Sequence, residues 1–378
     1  MYNIHRAAQR LNDFDSSVFQ EVYHKQQTLK NPVDLSVGLP EGTTPQYIKD
    51  AGIRAIQEGN TFYTPANGIA SLRKAIALKL ENENSIITSA DDVTIVPGLT
   101  TGLLLVYLAI LNPGDEVMIM DPSYPPYHYL APLAEAVVKR VPTLHNFQLD
   151  LKAIKAGVTE KTKLIIINTP NNPTGAVYPK EDLLQLAKIA EENNILIISD
   201  EMYESFIYEG EHFSIGSVYP NTLTMNGFSK AYAMTGWRLG YITGPSEIIK
   251  IINQLQQYAV FCSSSIAQYA ALEALSRPYE TRTSYSQKRQ LVIEKLSAAG
   301  YDTQGNEGAY YTFFKVPQGM NDLSFTALCA DNNLLLLPGR AFSEDETFVR
   351  LSYGGTIEDV KKGLEIITNI SHQRNYYD

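Results

Sequence analysis

Six short runs dominated by apolar residues constrain this chain more than any other feature: Val93–Val96, Glu116–Met120, Leu164–Ile167, Ile195–Ser199, Thr222–Met225 and Gly240–Thr243. A strand with one wet face alternates apolar and polar residues. A run without that alternation is a strand buried on both faces, as in a parallel sheet covered by helices. Helical stretches such as Lys180–Asn193 separate the runs. The alternation predicts an α/β fold with a mostly parallel sheet sandwiched by helices. A long helical pattern from Ser246 to about Leu275 follows. Beyond it, Gln287–Ala299, Tyr310–Val316, Phe325–Asp331 and Phe348–Tyr353 read α-β-α-β, a second, smaller α/β domain. A chain of 378 residues is long enough for one very large domain or two.

Ligands of open α/β sheets sit beyond the carboxyl ends of the strands. Four such ends carry chemistry here. After Thr222–Met225 comes Gly227-Phe228-Ser229-Lys230-Ala231-Tyr232-Ala233-Met234-Thr235-Gly236-Trp237-Arg238-Leu239-Gly240. A lysine amine held in a closed pocket forms Schiff bases with an aldehyde cofactor. An arginine eight residues on can grip a phosphate with its planar fork of donors. Together they describe a site for pyridoxal phosphate (PLP). Asp200 and Glu201 end the Ile195–Ser199 run. A carboxylate there can keep the pyridine nitrogen of PLP protonated and make the ring an electron sink. Alone, Asp200 would read as a helix cap. Tyr203 is placed to offer its phenol to the ring hydroxyl oxygen.

The third end is Asn168-Thr169-Pro170-Asn171-Asn172-Pro173-Thr174-Gly175, a polar turn that would put the Asn172 amide against the same oxygen. The bond before Pro173 is a candidate for the cis form, because X–Pro bonds carry only a small trans preference. The fourth is Pro97-Gly98-Leu99-Thr100-Thr101-Gly102, leading into the helical Leu103–Tyr107. A helix start offers free N–H groups and a positive dipole end to a phosphate. The turn lacks G-x-G-x-x-G, which disfavours a dinucleotide.

In combination these residues resemble the fold-type I, class I/II aminotransferases, the aspartate aminotransferase superfamily. The likeness runs from about Leu35 to Ser352. It implies the PLP-dependent transferase fold, with a seven-stranded type of sheet and a small domain built from both chain ends. The expected divisions are 1–38 (N-terminal arm and part of the small domain), 39–276 (large PLP-binding domain) and 277–378 (C-terminal small domain). It implies that Lys230, Asp200 and Tyr203 are catalytic. Gly98, Leu99, Thr100, Tyr124, Asn172, Ser229 and Arg238 would hold the cofactor, with Tyr124 stacked on its ring. Tyr63 resembles the tyrosine that reaches the phosphate of a neighbouring subunit, so a homodimer with shared sites is expected. Arg350 matches the arginine that binds the substrate α-carboxylate, a natural bidentate pair. Gly38 matches the glycine that closes over substrate, where Asn172 also stands. One position departs: relatives often carry a phosphate-binding serine three residues before the lysine, and here it is Gly227.

The implied reaction is transfer of an amino group between an L-amino acid and a 2-oxo acid, by ping-pong turnover. The same motifs would serve a C–S β-lyase, an aminocyclopropane-type synthase or an oxygen-using amino acid oxidase. A ligand sensor without activity is disfavoured by intact Lys230 and Arg350. Dicarboxylate-specific relatives add a cation for the distal carboxylate. The segment Tyr258–Ser265 has none, and Leu99 stands where some relatives have lysine. The substrate is therefore expected to be neutral or aromatic, with aspartate as the alternative.

A net charge of −10 disfavours a nucleic-acid partner. Cys262 and Cys329 lie far apart, and the six histidines show no ligand spacing, so no metal site is expected. No stretch is apolar enough for a membrane span, and Met1–Arg6 has no signal core. A cytoplasmic protein is expected.

Overall fold

The computed structural model describes residues 8–11, 17–277 and 282–374. Its strands are β1 (Val33–Asp34), β2 (Val93–Val96), β3 (Glu116–Asp121), β4 (Val137–Pro142), β5 (Thr162–Asn168), β6 (Leu196–Asp200), β7 (Thr222–Gly227), β8 (Gly240–Thr243), β9 (Tyr311–Lys315), β10 (Leu334–Leu335), β11 (Leu337–Pro338) and β12 (Phe348–Ser352). Seven of them form one sheet in the order β2-β8-β7-β6-β5-β3-β4. The pairs β3–β4, β3–β5, β5–β6 and β6–β7 are parallel, whereas β8 runs antiparallel to both β2 and β7.

The unalternating runs are buried on both faces, as expected. Met118, Met120, Ile165, Ile167, Ile195 and Ile197 join one apolar cluster. Val117, Ile119, Leu164, Ile166, Leu196 and Ile198 join another across the sheet. The period-two alternation of a strand sends neighbours to opposite faces. The helix Leu99–Ile110 is apolar nearly all round and lies within the second cluster. The helix Lys180–Glu192 buries Leu183, Leu186, Ala187, Ile189 and Ala190 in the first, at helical spacing.

Two features depart from the sequence expectations. The seventh strand, β4, was not among the six runs. It reads Val-Val-Lys-Arg-Val-Pro at the sheet edge, with its first and last residues exposed, so it lacks the signature of a central strand. The long helical pattern is also broken, into Ser246–Ala259 and Ser265–Leu275. Between them Phe261 takes a positive φ of 73°, and the Ser264 hydroxyl caps the second helix at Ala267 N. A serine cap gives a helix a new start where hydrophobic period alone shows none.

The remaining strands make two small sheets. β11, β12 and β9 form an antiparallel sheet, with Arg350 opposite Phe313 and Leu337. β1 pairs in parallel with β10, Val33 beside Leu334 and Asp34 beside Leu335. The chain just after β1 continues this seam: Leu35 N donates to Leu335 O, and Ser352 N donates to Leu35 O. No helix among the described residues is long and apolar enough to cross a membrane.

Candidate active site

The carboxyl ends of β5, β6 and β7 open onto a cavity of about 440 Å³. Helix Leu99–Ile110 starts at its rim, and the small antiparallel sheet closes the other side through Leu337, Tyr311 and Arg350. Of the residues singled out from sequence, Lys230, Asp200, Tyr203, Leu99, Thr100, Tyr124, Asn172, Ser229, Arg238, Arg350 and Gly38 all line it.

Asp200 ends β6 and is fully enclosed. Burial raises its carboxyl from the ordinary 3.8 to about 6. Tyr127 Oη donates to Oδ2 at 2.7 Å and Met202 N donates to Oδ1 at 3.1 Å, and both bonds oppose the rise. Asn168 Nδ2 donates to the Asp200 carbonyl at 2.9 Å, which ties the ends of β5 and β6 together.

Lys230 lies three residues past β7, and its Nζ donates to Gly38 O at 2.7 Å. Burial lowers its ammonium to about 8, assisted by the charges of Arg350 and Arg238 and opposed by Asp200. An amine at that value is about one-tenth neutral at pH 7, several hundred times more than a free lysine, and the neutral form is the one a carbonyl-trapping nucleophile requires.

Arg350 is central in β12 and buried. Nη1 donates to Asn172 Oδ1 at 2.9 Å and Nη2 to Ser36 O at 2.6 Å. Its guanidinium lies between two rings, with Cζ 4.4 Å from the Tyr311 centroid and 4.6 Å from that of Phe342. Nε is buried with no hydrogen-bond partner. A buried guanidinium N–H without an acceptor is costly, and an anionic ligand would satisfy it.

Arg238 takes the left-handed conformation, φ 52°, and Nη1 donates to Thr235 O at 3.0 Å. Its guanidinium packs on Gly98, where a Cβ would stand 2.4 Å from Nη2. Gly98 also has φ 86°, so glycine is required there twice over. Gly98 itself does not line the cavity; it makes room for the arginine that does. Gly227 faces Gly240 across β7 and β8, and a Cβ on it would meet Gly240 Cα and Leu239 O, both at 3.0 Å. A serine at this position would need the two strands to move apart.

Other placements differ from expectation. Tyr63 lies outside the cavity, is 79% exposed, and rests on Phe261 with ring centroids 4.4 Å apart. Among the described residues the cis bonds are Asp121–Pro122 and Thr169–Pro170, so the expectation for Asn172–Pro173 is corrected. That turn is closed instead by Gly175 N to Asn171 O and Asn171 N to Ala176 O.

Sequence reasoning passed over Tyr127, Tyr311, Phe342 and Ser36. Tyr127 was within reach, since it closes the Asp121–Tyr127 loop that contains Tyr124. Nothing local marks Tyr311, because its role comes from meeting Tyr203 and Arg350 in space. Helix Ser17–Thr28 also contributes Phe19, Val22, Tyr23 and Gln26 to the wall.

These residues fit PLP: a partly neutral buried amine, a carboxylate across from it, and a helix start beside an arginine for a phosphate. A lysine-centred PLP site at the strand ends of a mostly parallel sheet is that of a fold-type I PLP enzyme. The model of the aminotransferase class I and II family matches residues 30–367, and the chain belongs to that family. It is 38% identical over 344 residues to the aspartate/prephenate aminotransferase of Thermus thermophilus, covering 88% of this chain and 89% of the other. The solved aspartate aminotransferase from Thermus thermophilus with maleate superposes with a TM-score of 0.93 at 36% identity, covering 96% of this chain and 99% of that one. The aromatic aminotransferase from Pyrococcus horikoshii superposes with a TM-score of 0.89 at 35% identity, covering 94% and 99%. The protein is a PLP-dependent aminotransferase.

Proposed function

We propose that this aminotransferase works on neutral and aromatic L-amino acids and their 2-oxo acids. One observation carries the substrate reading. Lys230, Arg238 and Arg350 are the cationic residues of the cavity wall, and the reading gives each a task already. The rest of the wall is largely apolar: Val22, Val37, Leu39, Leu99, Met202 and Phe342 among others. A distal carboxylate would find no further cation there among the described residues of this chain. An apolar or aromatic side chain would be desolvated against matching surface.

When bound, PLP supplies an aldehyde for amine exchange and a ring that draws electrons from the substrate Cα. The chain's residues supply the rest. Arg350 grips the α-carboxylate, using the Nε that lacks an acceptor. Asn172 accepts from Arg350 Nη1 and fixes the guanidinium plane. Lys230 Nζ, whose burial brings its pKa down to about 8, takes and returns the proton at Cα. Asp200 would hold the ring nitrogen's proton, Tyr203 would donate to the ring hydroxyl and Tyr124 would cover the ring. Thr100, Ser229, Arg238 and the N–H groups at the start of Leu99–Ile110 would hold the phosphate.

The proposal includes a homodimer. Phe62, Tyr63 and Tyr258 are 82%, 79% and 89% exposed, and Tyr63 packs on the half-exposed Phe261; bare aromatics of this kind mark interfaces. A two-fold pair is also the commonest assembly. The compartment we assign is the cytoplasm, supported by the free thiols of Cys262 and Cys329.

A half-reaction screen tests the substrate reading. PLP-loaded protein is mixed with each amino acid, and conversion of the visible band to the amine form is followed. Conversion by phenylalanine, tyrosine or leucine at lower concentration than by aspartate is expected. Preference for aspartate or glutamate would overturn it.

A further inference from the structure

Tyr311 stands between the two halves of the site and belongs to neither in the reading above. It is 1% exposed and opens β9, opposite Ser352 on β12. Its hydroxyl lies 2.7 Å from the Tyr203 hydroxyl. Its ring lies under the Arg350 guanidinium, 4.4 Å from Cζ. Its oxygen also sits where a Cβ on residue 38 would be, 1.9 Å from the built position. One side chain therefore touches the Tyr203 phenol, the Arg350 guanidinium, and the glycine whose carbonyl accepts from Lys230.

We propose that Tyr311 is a positioning residue with two separable tasks: its hydroxyl orients the Tyr203 proton toward the cofactor, and its ring fixes Arg350 for the substrate carboxylate. This deepens the reading in which Tyr203 faces the ring hydroxyl and Arg350 the carboxylate, and rests on it.

The first task follows from counting protons. Each phenol has one hydrogen; the Tyr203 and Tyr311 oxygens share one short contact, and the Tyr310 hydroxyl bonds to Tyr311 as well, which leaves the Tyr311 hydrogen available to Tyr203 when Tyr310 donates. If Tyr203 donates to Tyr311, its hydrogen is spent inside the protein. If Tyr311 donates, the Tyr203 hydrogen is free to point into the cavity. Both hydroxyls are enclosed, and burial holds both above the ordinary tyrosine value, so neither gives up its proton. An anionic oxygen on the cavity side selects the second arrangement. A phenol that accepts one hydrogen bond also donates a stronger one. The groups that face the Tyr311 hydroxyl and ring are Arg350 from β12, Tyr203 from the turn after β6, the neighbouring Tyr310, and Tyr124 from the loop after β3. Of these, only Arg350 is charged near neutral pH.

The second task is geometric. With Phe342 on the opposite face at 4.6 Å, Tyr311 completes a slot that holds the guanidinium plane. A cation over an aromatic face gains most when both are out of water, as here.

The two tasks make different demands on substitution. Tyr311→Phe removes the hydroxyl and keeps the ring. The bound cofactor's visible band titrates with pH, and a phenol donating to an anionic ring oxygen favours the deprotonated form. Weakening that donor in Tyr311→Phe should raise the band's midpoint by about 0.5 pH units, with KM for amino acids changed less than about twofold. Tyr311→Leu removes both. It should show the same midpoint rise and, in addition, a KM raised by about tenfold. Tyr203→Phe is run beside them and should raise the midpoint by more than Tyr311→Phe does. If Tyr203→Phe moves the midpoint and Tyr311→Phe does not, the positioning role of the hydroxyl is overturned while the Tyr203 reading survives. If neither moves it, both are overturned. If Tyr311→Phe raises KM as much as Tyr311→Leu, the tasks are not separable and the ring's role is overturned. Should Tyr311→Leu fail to fold, Tyr311→Phe and Tyr203→Phe decide the proposal on the midpoint alone.

Discussion

The Tyr127 phenol donates to Asp200 Oδ2 at 2.7 Å, and this bond restrains a carboxyl that burial pushes up to about 6. Replacing Tyr127 by phenylalanine leaves the ring and removes the donor. The Asp200 carboxyl should then rise further, by up to about one unit. The readout is PLP rebinding to apoprotein against pH. Affinity should fall on the acid side with a midpoint near 6 in the native protein, and at higher pH in Tyr127→Phe. An unmoved midpoint would show that another group controls the acid side.

Lys230→Met removes the amine and fills its volume. No cofactor should be fixed to the chain by borohydride, and labelling of another lysine would displace Lys230 from the site. The apoprotein should also become more stable. The folded chain depresses Lys230 from 10.5 to about 8, so between those values the unfolded chain binds more protons. Stability of the native apoprotein from this group therefore rises with pH through that window, and below 8 the full cost of burying the charge remains. At pH 7 the variant should gain about 3 kcal/mol over the native apoprotein, and the gap should close above the unfolded value. Calorimetric Tm at pH 7 and pH 10.5 measures it.

Leu99→Lys adds a cation at the cavity rim, where an apolar side chain now stands. It should raise kcat/KM for aspartate by about tenfold and lower it for phenylalanine. Steady-state rates with both substrates test the specificity argument, and an unchanged ratio would mean that residue 99 does not meet the substrate side chain.

Mixing subunits tests Tyr63. Lys230→Met and Tyr63→Phe subunits, each weak alone, should recover activity in verified mixed dimers, where one site carries both defects and the other is intact. Absence of recovery, or an active monomer by sedimentation, would remove Tyr63 from the shared site.

What the sequence made legible follows a physical rule. Strands such as Leu164–Ile167 are buried on both faces, so their residue types alone disclose them. Edge strand Val137–Pro142 is half wet and mixes Lys139 and Arg140 with apolar neighbours, so it hides. The helix broken at Phe261 hides for another reason: helix-forming, apolar-rich sequence continues on both sides, and the break is made by a local cap and the positive φ of Phe261. Lys230, Asp200 and Asn172 could be singled out because each sits in a local pattern tied to a strand end. Tyr311 has no such pattern. It lies 108 positions from Tyr203, and only the closed fold makes them neighbours.

The seam between β1 and β10 has a consequence for synthesis. Val33 waits for Leu334, made roughly 300 residues later, before its strand has a partner. Ser36 and Gly38, just beyond that strand, supply the carbonyls on which Arg350 and Lys230 rest. A ribosome-bound chain can thus assemble the central sheet early while its site stays incomplete. Catalytic competence should appear late and in one step, after the β10–β12 segment has emerged. Contacts of such long sequence separation close slowly. Stalled chains ending before Leu334 should therefore carry the lysine, the carboxylate and the Ser36 and Gly38 carbonyls, yet lack both the strand that anchors those carbonyls and the Arg350 guanidinium.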